Sequence, residues 1–102
     1  MKQVIAGKLY NTESATEIGW ASSPEPRSDF RWWHETLYKT QRGAYFLCGS
    51  GGPMTSWQRP AGGGGVMGGS GIRAMSETEA REWAEKWLMP SEYLAEWAAE
   101  EA

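Results

Sequence analysis

Residues 31–49 read RWWHETLYKTQRGAYFLCG. Two runs rich in aromatic and β-branched residues, Arg31 to Thr40 and Ala44 to Gly49, flank Gln41-Arg42-Gly43. Such runs suit a pleated, half-buried surface, and a three-residue connection ending in Gly supplies the left-handed position that a hairpin of this length needs. The spacing predicts a β-hairpin with Tyr38 opposite Phe46, Leu37 opposite Leu47 and Thr36 opposite Cys48. Successive residues point to opposite faces, so both faces of this hairpin carry apolar groups. Either the sheet is covered on both sides or one face is left for a partner.

Downstream, Ser76-Glu77-Thr78-Glu79 is a capping box in which Ser76 caps a helix and Glu79 reaches back to it. Ala80, Trp83, Ala84, Trp87 and Leu88 follow at helical spacing and form one apolar stripe, expected to be the main contact with the sheet. Glu77–Arg81 and Glu82–Lys86 are supporting pairs four residues apart. Pro90 ends that helix, and Ser91 is expected to cap a second in which Tyr93, Leu94, Trp97 and Ala98 face inward.

Upstream, Lys2 to Ile5 and Lys8 to Tyr10 read as short strands about an Ala6-Gly7 turn. Asn11 is expected to cap a short helix over Thr12 to Ile18, and the Pro- and Ser-rich residues 20–29 to form a loop. Most of the glycines fall between 49 and 71, a stretch expected to be loop, with AGGGGVMGGSG (61–71) as its flexible part, before a short last strand from Ile72 to Met75. The expectation is an α+β fold: one domain over 1–102, a small antiparallel sheet built on a central hairpin, packed against C-terminal helices.

The chain has 102 residues, 40% of them hydrophobic, which is globular composition. One cysteine, Cys48, excludes an internal disulfide and fits a reducing compartment. No apolar run approaches the ~20 residues of a membrane helix, and the first residues lack the long apolar region of a signal peptide, so we expect a cytoplasmic protein without a membrane partner. The net charge of −3 is uneven. Residues 1–76 sum to +3, whereas 77–102 carry eight glutamates against Arg81 and Lys86, a local −6.

No motif carries enzyme chemistry. Gly63-x-Gly65-x-x-Gly68 matches a dinucleotide fingerprint only in letters, because no helix or ribose-binding acid follows in a βαβ unit. Cys48 and His34 share a sheet face in the expected register, but a nucleophile also needs an orienting group and an oxyanion hole. We expect no catalytic residue, no metal and no cofactor. Glu92, Glu96 and Glu100, spaced by four, read either as a solvated face or as an acidic stripe that meets a basic groove. Seven tryptophans in so short a chain exceed ordinary core needs. Trp32, Trp33 and Trp57 are therefore candidate interface anchors.

The segments KLYNTESATEIG (8–19), ETLYKTQRGAYFLCGSGGPMTSW (35–57) and IRAMSETEAREWAEKWL (72–88) resemble a family of small proteins carried on bacterial conjugative elements and phages. The resemblance covers most of the chain and departs in the Gly-rich insert. It implies an anti-defence role: stoichiometric inhibition or modulation of a host protein complex, with a CRISPR-Cas effector as the partner in view. The alternative is a nucleic-acid-binding accessory protein using Arg27, Arg31, Lys39, Arg42 and Arg59 beside aromatic stacking surfaces, against which the acidic pI of 5.1 argues.

Overall fold

The computed structural model describes residues 1–102. In chain order the strands are β1 (Lys2–Ile5), β2 (Lys8–Asn11), β3 (Thr16–Ser22), β4 (Trp33–Lys39), β5 (Tyr45–Gly51), β6 (Arg59–Pro60), β7 (Val66–Met67) and β8 (Gly69–Met75). Two helices follow, α1 (Glu77–Trp87) and α2 (Pro90–Glu96). The fold is α+β. Its main sheet is antiparallel with the order β3-β4-β5-β8, so the predicted hairpin is its centre. The register is the predicted one, Leu37 opposite Leu47 and Tyr38 opposite Phe46. Gly43 takes φ 88°, the left-handed value that closes the turn.

Both faces of the hairpin are covered. On one, Leu37, Leu47, Tyr45 and Ala21 pack against Ala80, Trp83 and Ala84 of α1 and Tyr93 and Trp97 at α2. On the other, Phe46 and Ile72 pack against Tyr10 of the separate β1–β2 hairpin. The capping box at Ser76 is formed in both directions, with Glu79 N donating to Ser76 Oγ at 3.1 Å and Ser76 N to Glu79 Oε1 at 2.9 Å. Leu88 ends α1 in an extended conformation and fills the space that a side chain at Gly19 would occupy, which fixes α1 to β3.

Several expectations are corrected. The helix over Thr12 to Ile18 does not form. Asn11 Oδ1 accepts from Glu13 N at 3.0 Å, a turn contact resembling a cap, and the chain then enters β3. A bulge between Glu17 and Gly19 breaks the alternation that would have marked this strand. Residues 20–22 thus belong to β3 rather than to a loop. The Gly-rich stretch is not one flexible loop either: it contains the small β6–β7 hairpin, and β8 starts at Gly69 rather than Ile72. In the second helix Met89 holds the cap position with Pro90 as first helical residue, while Leu94 and Ala98 are exposed. Trp87 is exposed too, so the core contact of α1 is made by Ala80, Trp83 and Ala84.

Candidate functional site

Strand alternation puts Trp33, Glu35 and Leu37 on the helix-covered face. Glu35 is the anomaly, a carboxylate in an apolar row. Its Oε1 accepts from Trp83 Nε1 at 2.8 Å and its Oε2 from Trp57 Nε1 at 2.9 Å. Each indole N–H thus finds a charged acceptor, a stronger bond than a neutral one. The carboxylate ties α1 and the segment before β6 to the central strand.

Glycines make this possible. Gly49 and Gly71 are opposite each other in β5 and β8, and the ring of Trp57 lies in the trough their missing side chains leave. The segment is held at its other end by Gly52 N donating to Trp32 O at 2.8 Å and Met54 N to Phe30 O at 2.9 Å. Arg73 stacks over Trp57 at 3.8 Å from the ring centre and donates to Ser56.

Beside this anchor a cleft of 340 Å³ opens between α1 and residues 54–56. Trp33 and Trp87 form its walls, edge to face with ring centres 4.8 Å apart, and Glu35, Met54 and Arg31 line it. Met54 is 67% exposed and Trp87 41%, and Phe30, whose carbonyl holds Met54 N, is 64% exposed. Arg31 is engaged by Asp29 through two parallel bonds, both 3.1 Å.

The candidates named from sequence are distributed differently. Trp33 lines the cleft, and Trp32 is half-buried under Arg27, 5.2 Å from its ring. Trp57 is buried, so it is an internal support rather than an anchor presented to a partner. Glu92, Glu96 and Glu100 form no stripe. Glu92 turns back to accept from Met89 N at 3.1 Å, and α2 stops at Glu96, leaving Glu100 off the helix. Glu96 is paired with Lys39 at 2.6 Å and also accepts from Tyr45 Oη at 3.2 Å.

Cys48 and His34 do share a face, diagonally across β4 and β5. Burial pushes the Cys48 thiol up, away from the thiolate a nucleophile needs. His34 is stacked on Trp20 at 5.4 Å instead of facing the sulfur.

No family model, curated protein or solved structure matches this chain. Neither helix is long and apolar enough to cross a membrane.

As site residues Glu35, Phe30 and Met54 are not marked by the sequence reading, and Trp87 reads there as a core contact. The available signal was Glu35: in the hairpin register it shares a face with Leu37 and Leu47, and a charge there calls for partners.

Proposed function

We propose that the chain is a non-enzymatic binding protein that acts by stoichiometric contact with a host protein complex in the cytoplasm. Its contact surface is the Trp33–Trp87 cleft with Met54, together with the exposed Phe30, whose carbonyl is bonded to Met54 N. The observation that carries this is a cleft lined by the exposed Trp87 and Met54 and the half-buried Trp33, with Glu35 tying its floor to two indoles. Aromatic residues, Met and Arg are the types enriched at interface centres, and a preformed surface loses less freedom on binding. The partner class follows the sequence resemblance, with a CRISPR-Cas effector as the first to test.

The test is a titration of the purified chain into a CRISPR-Cas effector cleaving its DNA target. A stoichiometric inhibitor abolishes cleavage at a fixed molar ratio, and Phe30→Ser with Met54→Ser removes that inhibition while the protein stays folded. Full inhibition by the double variant would move the contact elsewhere. Cys48→Ala leaves inhibition intact, since the thiol has no part in it.

One observation favours the nucleic-acid alternative. A groove of 590 Å³ at the tips of the β1–β2 and β4–β5 hairpins is lined by Lys8 and Arg42 with no carboxylate. Against it, four of the five cations expected to form a basic face are already engaged, Arg27 by Trp32, Arg31 by Asp29, Lys39 by Glu96 and Arg59 by Ser70. Salt-dependent binding of single-stranded oligonucleotide, lost in Lys8→Glu with Arg42→Glu, would establish this alternative.

A further inference from the structure

Glu35 is a half-buried carboxylate that lines the cleft and has no cation within ion-pairing distance. Its two bonds come from neutral indoles, one on each oxygen. Every carboxylate oxygen can accept more than one bond, so each retains capacity toward the cleft. The cation nearest the mouth, Arg31, is forked onto Asp29 and does not supply the missing charge. The cleft is thus a recess with aromatic walls and a negative floor.

We propose that this recess binds a lysine side chain of the protein partner, the butyl stem laid against the paired Trp33 and Trp87 rings and the ammonium at Glu35. The proposal rests on the cleft being the contact surface. Aromatic walls suit an alkyl stem, and ring faces attract cations, the more so when water is excluded. Within the chain itself Lys86 already places its ammonium 5.0 Å over the ring of Trp87, whereas no cation covers Trp33. Lysine fits better than arginine for a geometric reason. A guanidinium fork binds best when both oxygens are free to take parallel bonds, and here each oxygen already holds an indole N–H. An ammonium is a compact charge and needs only one of them.

The experiment uses n-butylammonium as the probe for the lysine end and butan-1-ol as its neutral counterpart, on the full chain. Binding is followed by the indole N–H and side-chain NMR signals of Trp33 and Trp87. The expected result is a saturable shift with butylammonium and affinity at least about tenfold lower for butan-1-ol. Butylguanidinium should bind more weakly than butylammonium. Trp87→Leu, at an exposed position, and Glu35→Gln should each abolish the shift. Because Glu35→Gln also disturbs the two indole bonds, Trp87→Leu serves as the variant whose fold is preserved. Equal shifts with the ammonium and the alcohol would overturn the charge preference, yet leave the cleft as an apolar contact surface. No shift with either would overturn the proposal as well. Failure of the broader reading is seen separately, as inhibition that survives Phe30→Ser with Met54→Ser.

Discussion

Gly49 lies against the indole of Trp57 so closely that a Cβ on it would sit 2.5 Å from Cε2 and nearer still to Cζ2. A methyl group there must move the ring, and the ring is held by Glu35 on one side and Arg73 on the other. Gly49→Ala should therefore destabilise the protein by about 1–3 kcal/mol, the ordinary range for overfilling a packed site. Urea unfolding would read it, and a midpoint equal to wild type would mean that Trp57 moves freely.

Trp83 and Trp97 are both buried, but their N–H groups differ. That of Trp83 bonds Glu35, while that of Trp97 is buried with no partner. Replacing a paired donor strands its acceptor, whereas removing an unpaired one relieves a cost. Trp83→Phe should cost about 1–3 kcal/mol beyond its packing loss, and Trp97→Phe should stay within about 1 kcal/mol of wild type. Chemical denaturation of the two variants side by side decides it; equal losses would refute the distinction.

The clasp between Lys39 and Glu96 predicts alkaline behaviour. The hydrogen bond to Glu96 holds the Lys39 ammonium above the usual lysine value, and burial, followed by the Glu96 charge, raises Tyr45. A basic group raised on folding contributes stability that is complete below its unfolded value and is lost as pH climbs through its folded one. A phenol raised on folding also loses stability as the unfolded form ionises first. Stability should thus fall with rising pH from about 10 upward. In Glu96→Gln the decline should be shallower, since the Lys39 contribution is gone. Melting temperatures across pH 8–11 would show it, and identical slopes would dismiss the clasp.

Ala6 takes φ 51° in the two-residue turn between β1 and β2, a left-handed conformation that alanine adopts reluctantly. Asparagine suits that position in such turns. Ala6→Asn should stabilise the protein by roughly 0.5–1 kcal/mol, provided the β1–β2 hairpin unfolds together with the sheet. A stability unchanged by the substitution, with faster amide exchange in β1, would show that this hairpin opens independently.

What could be read from sequence was whatever short-range chemistry dictates. The β4–β5 register follows from alternation and Gly43, and the start of α1 from the Ser76–Glu79 box. The misreadings have physical causes. The bulge in β3 erased its alternation, so Asn11 looked like the cap of a helix. Gly69 and Gly71 looked like flexibility, yet they pair with Gly51 and Gly49 in adjacent strands, and the four together leave space for Trp57, Thr55 and Arg59. Spacing by four suggested a glutamate stripe, but it holds only while the helix continues, and α2 ends at Glu96. The cleft depends on residues 30–35, 54–56 and 87 meeting in space, which no local pattern encodes.

Glu35 reaches partners 22 and 48 positions away along the chain. Both bonds need α1 and the segment carrying Trp57 docked on β4, so they are present only when those long-range closures have been made. The cleft therefore exists only in the finished molecule. By mass action, any ligand that occupies it holds α1 against the sheet, and amides of that helix should exchange more slowly when it is bound. On the proposed reading, recognition would be coupled to completion of the fold: a nascent or partly opened chain would offer a partner nothing to hold.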